Sequence, residues 1–199
     1  FCWAHQRRDF TDFQVAYAAH PAWGAWAEAW VATIAHLYAL NAARREPKML
    51  SFGSVHPIVD RVGTRLDEQA HAGARGVKVH PAVQLIAPGH RRAMALYRHC
   101  GARNLPVLMH CGPVGIELQS GRRRTQVALY EKPIAAEPRT TFVLGHAGAL
   151  QMEQALDLAC RYPNVWLELS GQSLANVRTI LDRADPERVP ALRVGCISA

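Results

Sequence analysis

The chain has 199 residues, enough for one domain with a sizeable core, and its 49% apolar and 20% charged residues are ordinary for a globular protein. No apolar run is long enough to span a membrane, so membrane association is not expected. The net charge of +7 comes mostly from scattered Arg with one run, Arg122-Arg123-Arg124, and no interleaved aromatics, which argues against a nucleic-acid surface. The five cysteines, Cys2, Cys100, Cys111, Cys160 and Cys196, are odd in number and never at CxxC spacing. That argues against a disulfide framework or zinc knuckle and makes a reducing cytoplasm the simplest compartment. The first residue is Phe1 rather than Met, so the chain reads as processed or as a fragment.

The first long helix is expected over roughly Ala22 to Arg45, with Trp23, Trp26, Trp30, Ile34, Leu37 and Tyr38 on one stripe and Pro47 as its stop. Six strand candidates follow: Met49–Val55, Gly76–His80, Pro106–His110, Thr141–His146, Val165–Leu169 and Leu192–Cys196. Helical periodicity separates them, for example over His90–Cys100, Gln151–Arg161 and Leu174–Arg183. Several of the strands are continuous apolar runs, as parallel strands covered on both faces require. Repeats of this kind predict one α/β domain over 1–199 with a parallel sheet. No GxGxxG follows any strand, which removes the main signal for a dinucleotide-binding fold. An open sheet and a closed barrel both remain compatible with the pattern.

Polar residues gather at the C-terminal ends of these strands, the face on which a barrel carries its active site. Lys78-Val79-His80, His110-Cys111-Gly112 and His146-Ala147-Gly148 end three successive strands, and Glu168 lies on the next. Side chains alternate across a strand, so Lys78 and His80 share a face, as do Leu108 and His110, and Leu144 and His146. If His110 and His146 both point into the mouth they converge on one volume, where imidazole serves as a metal ligand or as a general acid or base. His5, His20, His36, His56, His71, His90 and His99 have no such pattern and are expected to be ordinary satisfied polar residues. The segment Gly112 to Pro138 is expected to overhang the mouth; in it Arg122 would either bind a substrate carboxylate or lie in solvent.

Five stretches carry a family resemblance: SFGSVHP at 51–57, GVKVHPAVQ at 76–84, LPVLMHCGPVGIE at 105–117, TFVLGHAGALQMEQAL at 141–156 and NVWLELSGQS at 164–173. With them the chain resembles, over residues 47–189, the amidohydrolase-related (amidohydrolase 2) family of metal-dependent barrel hydrolases. The resemblance implies a (β/α)₈ TIM barrel, here incomplete with about six of eight strands and truncated at both ends. These stretches then correspond to the third to seventh strands. It implies that His110 binds a metal and that His146 binds it too or acts as acid/base beside it. Lys78, His80, Glu168 and Arg122 are expected on the substrate side. Lys78 lies two residues before its strand's end, deeper than a metal-bridging lysine would sit.

The cofactor implied is one divalent metal, with zinc first, which lowers the pKa of water to roughly 7 and polarises a carbonyl. The activity implied is hydrolysis of a small amide, lactone or ester. The alternatives are decarboxylation of an aromatic or conjugated acid, or a non-catalytic remnant with an incomplete metal site. The expected partner is a small-molecule substrate, and self-association into a homo-oligomer is left open. Two departures bear on the metal. The family's first strand carries an HxH or ExH pair and its eighth ends in a Gly-Ser/Thr-Asp, yet no HxH or ExH occurs in the chain and no Asp follows Val189.

Overall fold

The structure, a computed structural model, describes residues 50–58 and 61–184. The expected helix from Ala22 to Arg45 and the strand Leu192–Cys196 lie outside the described residues. Within them run β1 (Phe52–Gly53), α1 (Val62–His71), β2 (Gly76–Val79), α2 (Arg91–Ala102), β3 (Val107–His110), α3 (Gln119–Arg124), α4 (Glu131–Ala136), β4 (Phe142–Gly145), α5 (Met152–Arg161), β5 (Val165–Leu167) and α6 (Leu174–Arg183).

The five strands form one sheet in the order β1-β2-β3-β4-β5, and every adjacent pair is parallel. Each crossover thus sets the next strand beside the last. A doubly wound sheet would reverse direction at a switch point; none occurs among the described strands. This is the progression of a (β/α)₈ barrel, incomplete here with five of its strands described.

One face of the sheet is sealed: Val77, Val79, Val107, Met109, Phe142, Leu144, Val165 and Leu167 are buried. They pack with helix residues such as Leu66, Leu96, Tyr97, Leu156 and Ile180 in one core. The stripes that build it follow helical spacing, with Ala93, Leu96, Tyr97 and Cys100 on α2 and Met152, Ala155, Leu156 and Ala159 on α5. The other face carries Lys78, Leu108, Val143 and Trp166, which stand level with one another in the ladder.

Two features differ from the sequence reading. Helix α1 falls between two strands where a helix was expected, but its bounds were not legible, because Leu66 is its one fully buried residue and it lacks an apolar stripe. Residues 112–138 are not an irregular loop but fold into α3, a 3₁₀ turn at Val127–Leu129 and α4. No helix among the described residues is long and apolar enough to cross a membrane.

Candidate functional site

Ladder register decides which strand-end residues meet. Val79 pairs with Met109 and Met109 with Leu144, while His110 pairs with Gly145. His80 is therefore level with His110, and their rings stack with centroids 4.0 Å apart and planes 11° apart. The same register puts Leu144 level with Met109, on the face opposite His110. Simple alternation would send His146 there too, so the expected convergence of His110 and His146 in the mouth needs more than strand alternation.

Backbone strain turns it back. His146, Ala147, Gly148 and Ala149 all have positive φ, at 58°, 42°, 81° and 49°. Only Gly adopts this region without steric cost, so finding His146, Ala147 and Ala149 there marks a segment held by its surroundings. The left-handed turn delivers the His146 ring to within 5.0 Å of the His110 ring, centroid to centroid, with planes 70° apart. Glycines make room for it. A Cβ on Gly112 would stand 1.7 Å from the Gly148 carbonyl oxygen, and one on Gly148 would stand 2.7 Å from Ala155 Cβ.

The exit of β5 grips this segment. Glu168, buried, accepts hydrogen bonds from the His146 backbone N–H at 3.0 Å, the Ser170 N–H at 2.6 Å and the Ser170 hydroxyl at 2.8 Å. Burial opposes the Glu168 charge, but these three donors outweigh it and hold the carboxyl below its ordinary range. The His146 Nδ1 lies 2.9 Å from Ser170 Oγ and 3.2 Å from the Ser170 carbonyl oxygen. Gln172 donates to the carbonyls of His146 and Ala149, at 2.6 and 3.1 Å. Burial pushes the His146 imidazole below its usual value; Glu168 opposes this and the Lys78 charge adds to it. Burial thus favours the neutral form of the His146 imidazole.

His110 is buried, and the buried Tyr130 hydroxyl donates to its carbonyl oxygen. The Val83 N–H approaches His80 Nδ1 at 3.4 Å, and Gln84 accepts from the His80 backbone N–H at 2.9 Å. Lys78 is half-buried, and its charge acts on both His146 and Cys111. Cys111 is buried, which drives its thiol far above its ordinary value and leaves it inert.

The structure thus brings His80, His110, His146 and Glu168 together, with Lys78 acting electrostatically on His146. Arg122 lies exposed on α3. Glu117 accepts from the backbone N–H groups of Val114 and Gly115, so it stabilises its own turn. Ser170 and Gln172 were missed as site residues. Their signal was the polar run Ser170-Gly171-Gln172 directly after a strand.

A metal fits these residues in part. It would find the His110 and His146 imidazoles at close range, with ring centroids 5.0 Å apart. Among the described residues no group of three or more His, Cys, Asp or Glu is arranged to hold an ion. Zinc takes three or four protein ligands, so His110 and His146 alone would not complete its donor set.

Comparison with known proteins gives two solved structures. One is an uncharacterized TIM-barrel protein from Bordetella bronchiseptica, at 21% identity and TM-score 0.49, over 60% of this chain and 43% of that one. The other is amidohydrolase 2 from Bifidobacterium longum subsp. infantis, at 23% identity and TM-score 0.44, over 59% of this chain and 45% of that one. The chain therefore spans less than half the length of either structure. No curated protein matches it. The amidohydrolase family model matches residues 5–190, which takes in the whole described sheet with every connection between its strands, and the chain belongs to that family.

Proposed function

We propose that the protein is a metal-dependent hydrolase that cleaves a small amide, lactone or ester with water. The observation that supports it best is the convergence of His110 and His146 at the C-terminal ends of adjacent parallel strands, rings 5.0 Å apart. Membership of the amidohydrolase family supports the reaction class. In this reading His110 would hold a divalent ion, with zinc suited to imidazole donors, and His146 would either share that ion or act as the acid/base beside it. When bound, that ion supplies Lewis acidity at the substrate carbonyl and acidifies a water.

The chain's own residues do the rest. As the acid/base, His146, whose burial favours the neutral imidazole, would take a proton from water and return it to the leaving group. The Lys78 charge, which acts on His146, would stabilise negative charge developing on a substrate oxygen, and His80 backs the His110 ring. Arg122 at the rim of α3 offers a bidentate partner to a carboxylate on the substrate.

The test is metal content and turnover of the protein carrying single substitutions. His110→Ala should lower bound metal and activity together. His146→Ala should lower turnover by about a thousandfold while retaining more of the metal. Equal metal loss in both would make His146 chiefly a ligand, and full activity in either would refute the pair. Carbon dioxide released from an aromatic or conjugated acid would replace hydrolysis by decarboxylation. No stoichiometric metal in the unsubstituted protein would favour the non-catalytic reading.

A further inference from the structure

We infer that Ser170 is a positioning residue that selects the Nδ1–H tautomer of His146 and so leaves Nε2 as the basic nitrogen. The inference rests on the proton-handling role of His146 proposed above, and its chemistry is decided by donor and acceptor inventory. A peptide carbonyl only accepts hydrogen bonds. The Ser170 carbonyl oxygen lies 3.2 Å from Nδ1, so that contact is a hydrogen bond only if Nδ1 carries the proton. The Ser170 hydroxyl lies 2.9 Å from the same nitrogen, and its hydrogen is committed elsewhere, to Glu168 Oε2 at 2.8 Å. Its lone pairs are what remain for Nδ1. Both oxygens of Ser170 therefore ask for a proton from the same ring nitrogen.

Glu168 fixes the direction of this chain. Its carboxylate accepts from Ser170 twice, through the N–H and the hydroxyl, and from the His146 N–H. It lies 3.9 Å from Nδ1, too far for a direct bond, so the hydroxyl is the intermediary. Gln172 completes the grip: its amide holds the carbonyls at both ends of the left-handed segment, and its own oxygen accepts from Asn176 at 2.7 Å. His146 is thus held at its backbone N–H, its carbonyl and its ring by residues 168–172. Which nitrogen of a histidine is basic depends on the bond made by the other. In water the Nε2–H tautomer prevails, so the protein here imposes the opposite choice.

The experiment is ¹⁵N spectroscopy of the His146 ring, in intact protein with and without a metal chelator, at a pH where the ring is neutral. Nitrogen shifts should report Nδ1–H in both samples. Ser170→Ala should yield a tautomer mixture and lower kcat about tenfold with KM changed less than about twofold, while Ser170→Thr should restore both. Nε2–H in the unsubstituted protein would overturn the inference, and that measurement needs no variant to fold. Reversion to Nε2–H on metal removal would overturn it as well, because the ion would then be choosing the tautomer. Unchanged ring signals and kcat in Ser170→Ala would do the same. If His146→Ala leaves turnover intact while the ring still reports Nδ1–H, the functional reading fails and the tautomer assignment stands.

Discussion

At the scale of single residues, two positions carry strong expectations. Gly112 has φ 81° and faces the Gly148 carbonyl, which a Cβ would overlap at 1.7 Å. Gly112→Ala should therefore destabilise the protein by about 3 kcal/mol or more, because it adds left-handed strain to a backbone clash. A denaturant melt measures this, and a loss under about 1 kcal/mol would contradict the packing described here. Glu168 carries the second. Its folded pKa is depressed below the ordinary 4.5, so its stabilising contribution is complete above that value and is lost as pH falls through the folded value. Urea midpoints followed downward from pH 5 should thus fall more steeply for the native protein than for Glu168→Gln. Equal slopes would show that the three hydrogen bonds to the carboxylate add no stability.

At the scale of elements, burial separates helices that build the core from those that ride on it. Leu96 on α2 is fully buried, so Leu96→Ala should cost about 2–5 kcal/mol. Leu174, at the start of α6, is 89% exposed, and Leu174→Ala should change stability by less than about 0.5 kcal/mol. Thermal melts of the pair check the contrast. The same distinction explains which helices the sequence announced. Helices α2 and α5 present apolar residues at three- and four-residue spacing and were legible. Helix α1 buries Leu66 alone and was not. The short α3 and α4 make single turns whose order comes from partners distant in sequence. Examples are the Thr125 carbonyl accepting from the Gly112 N–H at 2.8 Å and the Gln126–Gln151 amide pair at 2.6 Å.

At the scale of the whole described sheet, β2, β3 and β4 each have a hydrogen-bonded strand on both sides, while β1 and β5 have one described neighbour each. Amide exchange should be slowest for residues 77–79, 107–110 and 142–145 and faster in β1, which is two residues long. Equal protection of β1 and β3 would be inconsistent with this topology. The progression of strands in sequence order also explains why the site assembles at one end. Every strand runs the same way, so every C-terminal end contributes to the same face.

The sequence by itself determined the strand–helix alternation, the parallel sheet, the family and the concentration of His80, His110 and His146 at strand ends. These follow from local composition and period, which a reader of the chain can count. Only the tertiary structure decided how the histidines meet. Register places His80 against His110, and alternation by itself would have turned His146 away. A left-handed turn, gripped by Glu168, Ser170 and Gln172 from the neighbouring strand's exit, brings it back. That turn is a conformation that residues 146–149 do not favour alone, so it is fixed by hydrogen bonds from residues some twenty positions later, which local pattern does not encode.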